Sequence, residues 1–181
     1  MVKIASYWQP GSDPVVRVYS NAEEVELLLD GETLGRRKPE RDKIGQRLAH
    51  PPFRFDLGRF RPGTLVARAY INGSQVAEDR VVTPGAATNL SVELATRGVP
   101  VEENDIVFAR ATLIDAAGHP VPQSGTPIDF DAEGGWEIVG ASQAETEAGT
   151  ASVLVRSTSP RATGSIVASA LGLPPATFNQ H

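Results

Sequence analysis

The side chains in this chain that could do chemistry are a set of carboxylates, three histidines and a few aromatic rings. Glu23-Glu24 and Glu102-Glu103 are the paired acids. Hydrolysis of a glycosidic bond with retention needs an acid and a nucleophile held about 5 Å apart on a rigid frame. These two pairs are neighbours along the chain and fall beside loops, where carboxylates are solvated surface charges. His50 and His119 each precede a proline where a loop runs into a strand, and His181 ends the chain. A metal site wants such rings and carboxylates converging, so none is expected. Asp129 and Asp131 flank Phe130 and share one strand face, a start toward a calcium shell that lacks its further oxygens. The sequence has no nucleophile elbow, phosphate loop or dinucleotide fingerprint, and no cofactor is implied. No catalytic residue is assigned.

The aromatics leave a choice open. Sugars bind β-sandwiches through exposed rings, which makes Trp136, Trp8 and Tyr7 the candidate carbohydrate-binding residues. Tyr7-Trp8 closes the first strand, where large aromatics are more often anchored in a core. Trp136 stands beside Gly134-Gly135, where a ring is hard to bury fully; covering an interface or meeting a ligand stands even with packing in the core. With one exposed ring and no converging polar groups, sugar binding is expected to be weak at best.

The elements that must position these residues are strands. In Val15–Ser20, Val16 and Val18 face one way while Arg17 and Tyr19 face the other. In Glu24–Asp30, Val25, Leu27 and Leu29 alternate with Glu24, Glu26 and Leu28, the period-two mark of a half-buried strand. Asp30-Gly31 and Asn72-Gly73 are tight hairpin turns. Phe53, Phe55 and Leu57 alternate inward, and so do Leu65, Ala67, Ala69 and Ile71. Arg36 to Arg47 is charged and broken by proline, and reads as an exposed loop. About seven strands precede Thr83, enough to close a sandwich. Thr83-Pro84-Gly85-Ala86-Ala87 is the expected boundary, and a second set of strands follows it. No convincing helical period appears. The expected class is all-β, with two tandem immunoglobulin-like β-sandwiches over residues 1–83 and 84–181.

The segment YSNAEEVELLLDG followed by LG resembles the opening of the immunoglobulin-like domain after the catalytic barrel in bacterial glycoside hydrolase family 2 enzymes of the β-galactosidase type. His50–Asp56, Pro62–Tyr70 and the run from Val76-Ala77 to Thr83-Pro84-Gly85 match the same domain in order. Asp105–Phe108, Ile114–Pro122 and Glu137–Gly140 resemble the next bacterial immunoglobulin-like domain of those enzymes. The resemblance implies tryptophan near position 8 as a family feature. It implies glycine or a small polar residue where Trp136 stands. Relatives carry an asparagine-glycine motif and a long loop after the Ile-Val-Gly, whereas this chain has only a short segment there.

By the resemblance, the parent enzyme hydrolyses β-galactosides or related β-glycosides with retention. This chain would then be a non-catalytic accessory part whose partner is the catalytic barrel of the same polypeptide, with a homo-oligomer formed through the parent. Two other readings stand beside it: a pair of carbohydrate-binding modules working through exposed aromatics, and an adhesin-like spacer. The halves differ in motif, which counts against a repeat array.

Composition sets the remaining bounds. Lys and Arg number 17 against 22 Asp and Glu, a net charge of −5 that reads as mild and spread along the chain. No nucleic-acid partner is expected. No apolar run approaches the roughly 20 residues of a membrane span, and no membrane partner is expected. The absence of cysteine fits cytoplasm and periplasm alike. The expectation leans to a periplasmic or secreted bacterial protein.

Overall fold

The structure is a computed structural model that describes residues 1–43, 45–159 and 163–180. The chain divides into two compact units, Met1–Thr83 and Pro84–His181. Both are built of strands, with one short 3-10 turn at Gly45–Arg47 among the described residues.

The first unit holds β1 (Val2–Ile4), β2 (Val15–Ser20), β3 (Glu24–Leu29), β4 (Glu32–Arg37), β5 (Phe53–Asp56), β6 (Thr64–Ile71) and β7 (Ser74–Val82). They form two antiparallel sheets, ordered β1-β2-β5 and β4-β3-β6-β7. The two strands that dominate the sequence pattern, β2 and β3, lie in different sheets. Residues 21–23 carry the chain across, and Ser20 Oγ fixes the crossing by donating to the Met1 carbonyl and accepting from the Ala22 amide. Alternation then aims Val16, Val18, Val25, Leu27, Leu29, Phe53, Phe55, Leu65, Ala67 and Ala69 into one core. That core is what burying half of each sheet achieves, at about 1.5–3 kcal/mol per large apolar side chain.

Two details depart from the sequence pattern. Leu28 belongs to the outward series, yet it is buried opposite Val66 on the far side of the sheet from the core. Arg36 and Arg37 belong to β4 rather than to a loop; the hairpin carries its pairing through to Val25 opposite Arg37, with a bulge between Leu27 and Leu28.

The second unit holds β8 (Asn89–Leu94), β9 (Ile106–Ile114), β10 (Pro127–Gly134), β11 (Trp136–Val139), β12 (Gln143–Glu145), β13 (Thr150–Ser157), β14 (Gly164–Ser169) and β15 (Ala176–Gln180). Its sheets run β12-β10-β14-β15 and β11-β13-β9-β8. Leu90, Ala109, Ala111, Leu113, Ile128, Val155 and Ile166 are among the residues of its separate core. Pro127 opens β10, a position where a missing amide costs no ladder bond.

Asp115, at the end of β9, is the hub of polar bonding in this unit. Its Oδ1 accepts from the amides of Ala117 and His119, and its Oδ2 from the Gly85 amide and His119 Nδ1. The Gly85 and His119 amide bonds, followed by the rest of this set, hold the carboxyl at about 2 against an ordinary 3.8. A carboxyl lowered on folding stabilises above its unfolded value and loses that contribution as pH falls through the folded one. Asp115→Asn is therefore expected to be less stable than the wild type at pH 7, with the gap closing between about pH 4 and pH 2. Urea melts at stepped pH check this. A gap constant from pH 7 to pH 2 would show that the charge is not what Asp115 contributes.

Candidate functional site

Trp8 sits in a tight turn after β1, its backbone at φ 44°, and is completely buried. Its amide donates to Ser6 Oγ at 3.1 Å, which steadies this uncommon conformation, and the indole packs 5.0 Å from the Phe60 ring. A large side chain in the left-handed region is costly. The burial of the ring in the core is what the strain accompanies.

Of the two readings of Trp136, the structure has the core one: it is only 3% exposed. The reason is a sheet switch. Gly134 closes β10 in one sheet and β11 begins two residues later in the other, so Trp136 and Ile138 are the inward residues of the new strand. Gly134 has φ 72°, and a side chain there would press on the backbone of Thr163 and Gly164. The glycine pair makes the abrupt switch possible. Neither Trp8 Nε1 nor Trp136 Nε1 has a hydrogen-bond partner among the described residues. Of the three aromatic candidates, only Tyr7 turns a ring to solvent, at 61% exposure.

The carboxylates are placed by structural bonds. Glu23 accepts from the Asn72 amide at 2.9 Å, closing the β6–β7 hairpin against the β2–β3 crossing. Glu24 pairs with Arg36 at 2.7 Å. On the outward face of β3 and β6, Glu26 accepts from Tyr70 Oη at 2.9 Å and from Thr33 Oγ1 at 3.1 Å, while Arg68 pairs with Glu78 at 3.0 Å. The Arg36 guanidinium lies 3.8 Å over the Tyr70 ring. Burial, and then the bond to Glu26, raise the Tyr70 phenol above its ordinary value. Pairs this exposed add little stability singly, but together they orient Glu24, Glu26, Arg36, Arg68 and Tyr70 on this face.

In the second unit, Asp129, Asp131 and Glu133 line the outer face of β10, and Asp129 accepts from Gln143 Nε2 at 2.7 Å. Among the described residues, no three histidine, aspartate, glutamate or cysteine side chains come together as metal ligands would. His50 lines a cleft of about 660 Å³ beside Glu23, Glu24, Lys38 and Arg41. His119 belongs to the Asp115 hub, and His181 lies outside the described residues.

Positive charge, which looked scattered, is concentrated in the first unit. Residues 1–83 hold 13 Lys and Arg against 11 Asp and Glu, and residues 84–181 hold 4 against 11. Several of those cations share one groove between the edges of the two sheets, lined by Arg36, Arg37, Lys38, Glu40 and Arg54.

Residues 11–77 match a domain family described as a domain of unknown function, DUF4982. The chain is 27% identical over 164 residues to a β-galactosidase of Thermoanaerobacter pseudethanolicus, covering 86% of this chain and 22% of that protein. It is 26% identical over 134 residues to the β-galactosidase BoGH2A of Bacteroides ovatus, covering 74% of this chain and 15% of that protein. A β-glycosidase from Bacteroides vulgatus superposes with a TM-score of 0.79 at 18% identity, over 98% of this chain and 24% of the other. A β-glucuronidase from glycoside hydrolase family 2 gives 0.79 at 21% identity, over 99% of this chain and 20% of the other. These comparisons bear out the resemblance to glycoside hydrolase family 2 proteins. The chain spans only 13–22% of the length of the curated relatives it matches.

Proposed function

We propose that this chain is a non-catalytic accessory part of a glycoside hydrolase family 2 enzyme, two tandem immunoglobulin-like sandwiches over residues 1–83 and 84–181. Its partner is the catalytic barrel of the same polypeptide, which it supports or helps to assemble. The parent would hydrolyse a β-galactoside or related β-glycoside with retention. The observation that carries this reading is the lopsided coverage, most of this chain against 13–22% of each curated relative. The bonding of Glu23, Glu24 and Glu26 supports it, since each is tied to a strand, turn or cation in a structural role. A pair of modules binding sugar through aromatics has less to rest on, because both indoles are buried.

Deleting this segment from the parent enzyme tests the proposal. Lost contacts with the barrel should lower the melting temperature by several degrees, while the folded remainder still hydrolyses its substrate. An unchanged melting curve with unchanged activity would contradict a supporting role.

A further inference from the structure

The outer face of the three-stranded sheet in the first unit breaks a rule of strand pairing. Arg17 on β2 and Arg54 on β5 are direct cross-strand partners. Like charges set opposite each other lie with Cβ atoms about 5 Å apart and are destabilising. Their nearest carboxylates relieve this only loosely, Asp13 at 3.9 Å from Arg17 and Asp56 at 3.6 Å from Arg54. Tyr19 stands on the same face, two residues along β2 from Arg17, with its ring 46% exposed.

Arg54 joins two clefts. One, of about 370 Å³, is lined by Arg36, Arg37, Lys38, Glu40 and Arg54. The other, of about 270 Å³, runs from Arg54 past Arg17 and Pro52 and also includes Glu40 and Asp42. The shared residues make them one groove. Its cations are held differently. Arg36 is locked by Glu24 and the Tyr70 ring, and Arg37 lies 5.7 Å over the Phe55 ring. Lys38 has no ion pair or hydrogen bond among the described residues. A groove of this size, with several forked donors on rigid strands and one exposed ring beside them, is suited to a small anionic ligand rather than to a flat protein face.

We propose that this groove binds a carboxylate-bearing saccharide, with Arg54 and Arg17 gripping the carboxylate, Arg37 and Lys38 meeting a second acidic unit, and Tyr19 stacking on a sugar face. The choice of a saccharide over other anions rests on the accessory-part reading above; the anionic character rests on the excess of Arg17, Arg36, Arg37, Lys38 and Arg54 over Glu40 and Asp42 in the lining of the groove. A bound carboxylate relieves the Arg17–Arg54 repulsion, so the arrangement costs stability in the free protein and returns it on binding. Occupied, the groove would hold an acidic glycan near the enzyme to which this chain belongs.

The experiment is calorimetric titration of the intact chain with trigalacturonate, and with the same trisaccharide fully methyl-esterified. Binding of the acid, at least tenfold weaker for the ester, is expected. The double substitution Arg17→Gln with Arg54→Gln should weaken binding of the acid at least tenfold while leaving the melting temperature equal or higher, because it removes the opposed charges. Equal affinity for acid and ester, no binding of either, or binding untouched by the double substitution would overturn the proposal. So would tighter binding of poly-glutamate or a single-stranded deoxythymidine oligomer, which would assign the groove to an acidic protein or to nucleic acid. The chain is titrated without a barrel, so failure here leaves the accessory-part reading standing, and failure of that reading leaves an acid-over-ester preference measurable.

Discussion

Trp8→Ala should destabilise the first unit by about 4 kcal/mol, within the range measured when a buried tryptophan is truncated. The ring is completely buried, packs against Phe60 and belongs to the same cluster as Val16, Phe53 and Leu65. Alanine would leave a cavity on a backbone already held at φ 44°, and strands from both sheets would have to collapse around it. A domain of this size is stable by only about 4–12 kcal/mol, so most of its margin would go. Trp8→Phe keeps an aromatic ring against Phe60 and removes the unpartnered indole N–H, so it should cost much less. Urea unfolding followed by circular dichroism reads the loss. Trp136, the one tryptophan left in either variant, reports separately on the second unit. A loss below about 1 kcal/mol for Trp8→Ala would mean that Trp8 is not a core anchor.

Gly149→Ala should cost the second unit about 3 kcal/mol through two additive causes. Gly149 has φ 84°, a conformation that costs an L side chain about 1–2 kcal/mol. A Cβ there would also overlap the Val121 carbonyl and lie 3.1 Å from Pro122 Cα, so backbone has to move. Overpacking of that kind adds about 1–3 kcal/mol. The movement would disturb bonds that tie three segments together: Gly149 N–H to the Gln123 carbonyl, Leu113 N–H to the Gly149 carbonyl, and Val121 N–H to the Leu113 carbonyl. Gly140 is the control, because its φ is 91° but a Cβ would meet nothing. Gly140→Ala should cost only the conformational part, about 1–2 kcal/mol. Equal losses at the two positions in thermal melts would show that the close approach to Val121 is relieved without cost.

The contrast between Trp8 and Trp136 shows what could be read in advance. Trp8 closes the first strand, where large aromatics are more often anchored in a core, and the resemblance also puts a tryptophan there. Trp136 follows two glycines, and glycines next to a large ring suggest an exposed turn. Only the pairing partners, Ser157 and Arg156 opposite Trp136 and Glu137, show that the glycines mark a change of sheet. Such a change is a tertiary event with no local signature. The strands of strong period two, β2, β3, β5 and β6, were legible because one face of each is buried. β12 was missed because Gln143–Glu145 has three residues and no β-branched side chain. β15 follows Pro174-Pro175 and alternates weakly, so its pairing with β14 is what defines it. The cationic groove was hidden for a related reason. Arg17, Arg37 and Arg54 lie far apart in sequence; strand pairing sets Arg17 beside Arg54, and Arg37 joins them from the edge of the other sheet.

The proposed non-catalytic role is tested most directly by incubating the purified chain with chromogenic β-galactoside, β-glucuronide and β-mannoside. Retaining hydrolysis needs an acid whose pKa its surroundings raise, facing a nucleophile across a few ångströms. Here Glu23 instead braces a hairpin, Glu24 and Glu137 pair with arginines, and Asp129, Asp131 and Glu133 line an outer sheet face. The predicted result is no turnover above buffer for any of the three substrates. Turnover that co-purifies with the chain, and falls when one of its own glutamates is changed to glutamine, would contradict the account.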